Sequence, residues 1–267
     1  MASRSNIDTL PYDIVSKILS YTSPQDACGF SMVSSTLHSV ADSNTLWQSF
    51  LPSDYDDIIS RTVIPLILQS SSYKHLFYSL CQHPLLLDRG LMSFKLDKSS
   101  GKKSYILSAR KLSISWSSDP LYWSWRPTPE SRFEEAAELR SVSWLEINGK
   151  IRTRILTPNT TYAVYLITNV SHRRYGLDSA PAEVSVEVSN KVLNGKAYLY
   201  QNIFIEDINN EIRVPSKRDD GWMEIELGEF LCGEADEEVK VSVREVGYQL
   251  KGGLIVEGIE VRPKILV

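Results

Sequence analysis

The chain has 267 residues, 42% of them hydrophobic and 23% charged, with a formal net charge of −4. That length holds one large or two smaller domains, and a mildly acidic chain without a clustered basic stripe has no general pull towards nucleic acid or an anionic membrane. The opening Met1-Ala-Ser-Arg-Ser-Asn lacks the apolar core of a signal peptide, apolar runs such as residues 63–68 are too short to cross a bilayer, and three widely spaced cysteines (Cys28, Cys81, Cys232) do not suit a disulfide framework.

Residues 8–51 carry helical patterning. Asp8-Thr9-Leu10-Pro11 opens a first helix, with proline where a missing N–H costs nothing; Ile14, Ile18 and Tyr21 share one face, and Val15 and Leu19 widen it. Ser23-Pro24-Gln25-Asp26 starts a second helix, with Ser23 as N-cap and an acid three residues on. A third piece carries Leu37, Val40 and Ala41, and a last turn carries Leu46, Trp47, Phe50 and Leu51. Short helices over so few residues rarely bury enough surface to stand alone. The segment is therefore completed either by a partner or by its C-terminal neighbour.

Residues 52–91 read as a partly helical connector. Pro52-Ser-Asp-Tyr-Asp-Asp57 is turn-like; after Gln69-Ser-Ser-Ser72 a helix places Leu76, Phe77 and Leu80 on one face, and His83-Pro84 stops it. From residue 91 the period changes to two. Met92, Phe94 and Leu96 lead through a loop into residues 104–108, which reads as a hairpin. Leu112, Ile114 and Trp116 then alternate with Ser113 and Ser115 as in a half-buried strand, until Asp119-Pro120 breaks it and Trp123 and Trp125 follow. Three tryptophans beside a turn either fill a core corner or form an exposed platform for a flat apolar face. Asn148-Gly149 between alternating residues 142–147 and 150–155 predicts a tight hairpin turn. Further strands are expected at 162–168, 183–188, 222–227, 240–244 and 254–261, which together mean an antiparallel β-sandwich. The chain is thus expected to be an α+β multidomain protein, divided at 1–51, 52–91 and 92–267.

Catalytic signatures are missing from this pattern. His38, His75, His83 and His172 have no Cys or His neighbour at ligand spacing, so no metal is expected. Ser99-Ser-Gly101-Lys102-Lys103-Ser104 has Leu96 where a phosphate-binding loop needs its first glycine. No G-x-S-x-G elbow is present, and Asp219-Asp220 reads as turn chemistry. The expectation is a binding protein with no catalytic residues and no cofactor, in the cytoplasm and/or nucleus, with the glycosylation sequons at Asn159 and Asn169 as chance matches.

Two resemblances give the expectation content. Leu10-Pro-x-Asp-x-x-x-x-Ile18-Leu19-x-x-x-Ser23-Pro-x-Asp26-Ala27, then Val33-Ser34 and Leu46-Trp47, resembles an F-box. That resemblance implies docking on a Skp-type adaptor and, through it, a cullin scaffold, with Leu10, Pro11, Ile14, Ile18 and Leu19 facing the adaptor. The later helix departs from the family pattern, since Ser35-Thr36-Leu37 stands where a basic residue and an aromatic are usual. Further on, Leu112-Ser-Ile-Ser-Trp116, Asp119-Pro-x-Tyr122-Trp123-x-Trp125, Glu138-Leu-Arg140-x-Val-x-Trp144-Leu-Glu-Ile-x-Gly149-Lys, Asp220-Gly-Trp222-Met-Glu-Ile-Glu-Leu-Gly-Glu-Phe230 and Gly253-Leu-Ile-Val-Glu-Gly-Ile-Glu-Val-Arg-Pro263 resemble the phloem-lectin family, of which the tobacco lectin Nictaba is a member. This implies a jelly-roll-like lectin domain that binds N-acetylglucosamine oligomers and N-glycan cores, with Trp116 and Trp123 at the positions of sugar-binding tryptophans and Trp125 as a third candidate. Together they imply a plant ubiquitin-ligase receptor for target proteins, glycoproteins among them; a lectin without a ligase role and a protein-only interaction module are the alternatives.

Overall fold

The computed structural model describes residue 7 and residues 10–64, 72–201 and 212–264. The expected helix opening at Asp8-Thr9, most of the 63–68 run and Gln69 to Ser71 lie outside the described residues. Packing divides the chain into two compact units, Met1–Leu85 with Phe94–Lys103, and Leu86–Ser93 with Ser104–Val267.

The first unit is helical: α1 (Tyr12–Leu19), α2 (Pro24–Phe30), α3 (Ser35–Ala41), α4 (Asn44–Phe50), α5 (Tyr55–Ser60) and α6 (Tyr73–Gln82). Serine starts three of them. Ser23 and Asp26 close a reciprocal capping box on α2, Ser34 Oγ accepts the Leu37 N–H, and Ser43 Oγ accepts the Leu46 N–H. Such caps let short helices begin where isolated peptides of that length would fray. The core is built on Trp47, fully buried, whose indole N–H donates to the Ala41 carbonyl at 2.6 Å. Phe50, Phe77 and Tyr78 surround its ring at 5.3–5.6 Å between centroids. Helix α6, expected in a connector, thus closes the core of the helices before it. The loop after Phe94 belongs here as well: Gln25 N–H donates to Ser99 O, and Lys103 pairs with Asp54 at 3.0 Å. Asp97 collects the Ser99 and Ser100 hydroxyls, so the stretch that superficially matched a phosphate loop is a self-bonded turn.

The second unit is built on two sheets, a few of whose strand residues (85, 94–96 and 103) belong to the first unit. Its strands are β1 (Leu85–Leu87), β2 (Met92–Leu96), β3 (Lys103–Ser108), β4 (Ser113–Ile114), β5 (Trp123–Arg126), β6 (Ala136–Leu139), β7 (Leu145–Arg152), β8 (Thr160–Tyr175), β9 (Ala182–Val188), β10 (Lys191–Ala197), β11 (Ile212–Arg213), β12 (Ser216–Lys217), β13 (Met223–Cys232), β14 (Glu238–Glu245) and β15 (Gly252–Pro263). One sheet runs β1-β2-β3-β15-β8-β13-β12, with β6 on β15 and β5 on β6; the other runs β11-β10-β9-β14-β7-β4. Pairing is mostly antiparallel, with a short parallel contact of β10 with β11. Val184, Val186 and Val188 face inward as expected, with Val239, Val241, Val243 and Ile147 beside them.

Two local expectations fail. Asn148-Gly149 is no turn: both residues lie inside β7, paired with Ser242 and Val241 of β14. The reason is packing, because a Cβ on Gly149 would stand 2.8 Å from Ile259 Cδ1 of the facing sheet. The glycine permits close approach of two layers rather than a positive φ. The strand expected to run through Trp116 ends at Ile114, and Trp116 itself adopts φ 58°. Its side chain therefore leaves the alternation that would have carried it inward with Leu112 and Ile114.

Candidate functional surfaces

The three clustered tryptophans separate into three environments. Trp123, at the start of β5, is 2% exposed, and its indole N–H donates to the Ser115 carbonyl at 3.0 Å. Trp125, two residues along the same strand, donates to the Ser117 carbonyl at 2.8 Å. The guanidinium of Arg110 lies 3.7 Å from the Trp125 ring centre and is itself tied to Glu135. These two indoles hold the backbone of residues 115–117 from below. Trp116, on the segment they hold, is 48% exposed. Trp123 thus sits in the core and one face of Trp125 lies under a cation, while Trp116 is the exposed member of the three. Its left-handed φ, unusual for a bulky residue, is fixed by the surrounding hydrogen bonds: Ser117 N–H to Ile114 O and Asp119 N–H to Trp116 O.

A second aromatic belongs to this platform. The Tyr122 ring lies 5.9 Å from Trp116 at an interplanar angle of 49°, with exposed Leu121 next to it. Asp119 shapes the turn, accepting the Leu121 N–H on its side chain and the Tyr122 and Trp123 N–H groups on its carbonyl. Sequence reasoning quoted Tyr122 within a motif without giving it a role. Its exposure comes from the Asp119 turn, which the sequence marked only by Asp119-Pro120.

The helical unit presents the other surface. Leu10, Pro11, Ile14 and Ile18 are exposed, the last two at 45% and 40%, one helical turn apart on α1. Leu19 is different. It is 1% exposed and part of the unit's own core with Val15, so it is withdrawn from the set of surface candidates. Tyr12, Tyr21, Phe30, Met32 and Val33 add exposed apolar side chains within the same short stretch, and none of these was singled out as an adaptor contact. Isolated exposed apolar residues are ordinary, but this concentration marks an interaction surface.

The chain belongs to the family of F-box proteins that carry a phloem protein 2 domain. Residues 7–49 match the family described as F-box domain, and residues 102–263 match phloem protein 2. Among curated relatives, F-box protein PP2-B15 of Arabidopsis thaliana is 46% identical over 96% of this chain and 97% of its own length. Putative F-box protein PP2-B12 of the same plant is 44% identical over 98% of this chain and 100% of that one. F-box protein VBF, again from Arabidopsis thaliana, is 44% identical over 96% and 99%.

Proposed function

We propose that the chain is the substrate-recognition subunit of a Skp–cullin–F-box ubiquitin ligase. The observation that carries this reading is the exposed apolar set Leu10, Pro11, Ile14 and Ile18 on a folded F-box. An apolar helix face left in water is completed by another protein's helices, and a Skp-type adaptor is the partner that an F-box implies. The β-unit then captures the target. F-box proteins are in general non-catalytic adaptors, so the contribution to ubiquitin transfer is positional: tethering raises the effective concentration of a target lysine beside the charged conjugating enzyme. The reducing cytoplasm or nucleus is the proposed location.

For the captured group, the exposed pair Trp116 and Tyr122 supports a glycan on a glycoprotein target. Pyranose rings present C–H faces that stack on indole, and one shallow aromatic platform gives weak affinity that several contacts must reinforce. Co-purification of recombinant Skp-type adaptor with the full chain tests the receptor reading; capture that persists in the double variant Leu10→Ala, Pro11→Ala would argue against it. A glycan array tests the second part, with signal for N-glycan cores expected for the full chain and lost in Trp116→Ala. An array signal without adaptor capture would favour a lectin acting outside a ligase.

A further inference from the structure

The outer face of the β11-β10-β9-β14-β7-β4 sheet is ordered in rows that cross the strands. One row reads Ser113, Asn148, Ser242, Ser185, Asn194 from β4 to β10, each directly paired with the next. A flanking row reads Glu146, Arg244, Glu183, Lys196, and the row on the other side begins Lys150, Lys240, Glu187. Short side chains thus form a floor between two walls of long ones. At β4-to-β10 spacing the floor spans about 19 Å. Over β14, β9 and β10 it opens as a groove of about 490 Å³ lined by Ser242, Ser185 and Asn194 with Arg244, Glu183 and Lys196.

Three features separate this row from an ordinary solvated sheet face. Asparagine is depleted in strands, yet Asn148 and Asn194 both sit mid-strand, each followed by glycine. The fold accounts for the glycines: Gly149 admits Ile259, and a Cβ on Gly195 would collide with the Arg213 guanidinium. It does not account for the asparagines. Ser113, Ser185, Ser242 and Asn194 make no side-chain hydrogen bond among the described residues, so their donors and acceptors face the trough unengaged. At the edge, exposed Trp144 donates its indole N–H to one oxygen of Glu146 while Asn148 donates to the other, which fixes carboxylate, amide and ring relative to each other.

From this we infer that the trough is a binding site for a linear, neutral oligosaccharide, separate from the Trp116 turn. Hydroxyl and amide groups on the floor match sugar hydroxyls, which donate and accept alike. The wall with two acids and two bases is charge-balanced, which disfavours a strongly charged chain. A span of about 19 Å suits several rings rather than one. The inference rests on the reading of the β-unit as the target-capturing part, and it gives the glycan a second, longer contact. Several weak contacts along one chain would supply the affinity that a single platform lacks.

The test uses the full chain and calorimetric titration with hexamers of N-acetylglucosamine, β-1,4-glucose, β-1,4-xylose and β-1,4-mannose. Ser185→Ile and Ser242→Ile raise the floor with a good strand former and remove a hydroxyl, so the unfolding midpoint should hold or rise. At least one hexamer is expected to bind the parent and to lose tenfold or more in affinity in both variants, with Trp116→Ala retaining trough binding. Unchanged affinity in the isoleucine variants, or binding that only Trp116→Ala removes, would overturn the trough while leaving target capture at the Trp116 turn standing. No binding by any hexamer would overturn it too, as would a protein ligand that follows the isoleucine variants. Adaptor capture, measured in parallel, reports on the receptor reading alone.

Discussion

At the scale of single residues, three tryptophans of one short motif do three things. Trp123 and Trp125 anchor the carbonyls of Ser115 and Ser117, and Trp116 is held out on the segment they fix. Truncation should separate these roles. Trp123→Ala removes a buried side chain and an indole donor and is expected to cost about 3–5 kcal/mol, read as a lowered urea midpoint. Trp116→Ala should stay within about 0.5 kcal/mol while losing the N-glycan-core signal on the array; a large stability loss would show instead that its ring is structural. The sequence made the cluster legible but not its division. Periodicity assigned Trp116 the inward side of a strand, and only the left-handed φ at that residue, set by hydrogen bonds from Ser117 and Asp119, turns it outward.

At the scale of elements, legibility follows how local the cause is. Helices α2, α3 and α4 begin on serine caps that can be read directly, and the inward valines of β9 and β14 follow a period of two. The Asn-Gly in β7 misleads because its cause is Ile259, more than a hundred residues away. On α1 the pattern gave the apolar stripe but could not divide it. Ile18 and Leu19 are neighbours, one outside and one in the core. Ile18→Asp should therefore leave the unfolding midpoint within about 0.5 kcal/mol and abolish adaptor capture, whereas Leu19→Ala should cost about 2–5 kcal/mol. Equal loss of stability in both would contradict this division. In the β-unit, Arg218 and Arg262 clasp Glu224, between β13 and β15, at 2.6–2.7 Å. Burial raises the Glu224 carboxyl, but the Arg262 and Arg218 bonds outweigh it and hold it below the ordinary range; Asp220 is held low by Arg218 in the same way. Groups whose folded pKa is lowered stabilise above the unfolded value and lose that contribution as pH falls through the folded one. The urea midpoint of the β-unit should drop between about pH 5 and about pH 3, and Glu224→Gln should flatten that slope. Glu257 works oppositely: burial raises it, so its ionisation costs stability as pH rises through its folded value, and Glu257→Gln should leave the acid loss in place while removing that cost.

At the scale of the whole molecule, chain order and packing do not divide alike. The path enters the second unit at Leu86, returns to the first for Phe94–Lys103, and leaves again at Ser104. The helical unit is thus incomplete without ten residues that follow it in sequence and carry strand periodicity. Gly101 is the sharpest probe of that dependence. It sits at φ +71°, and a Cβ there would meet the Phe50 carbonyl at 3.2 Å, the Phe77 ring at 3.4 Å and Pro24 at 3.4 Å, which belong to α4, α6 and α2. Gly90, at φ +81° in the second unit, has open space where its Cβ would go. Alanine at either position bears the left-handed cost of about 1–2 kcal/mol; at Gly101 crowding adds to it. Hydrogen exchange of the full chain reads the difference by location. Gly101→Ala is expected to speed exchange of the α2, α4 and α6 amides and to weaken adaptor capture, although residue 101 lies far beyond the F-box match. Gly90→Ala should leave those amides as they are. If Gly101→Ala instead loosened only the strands, the helices would be stable on their own residues, and the returning segment would be a passenger rather than part of their core.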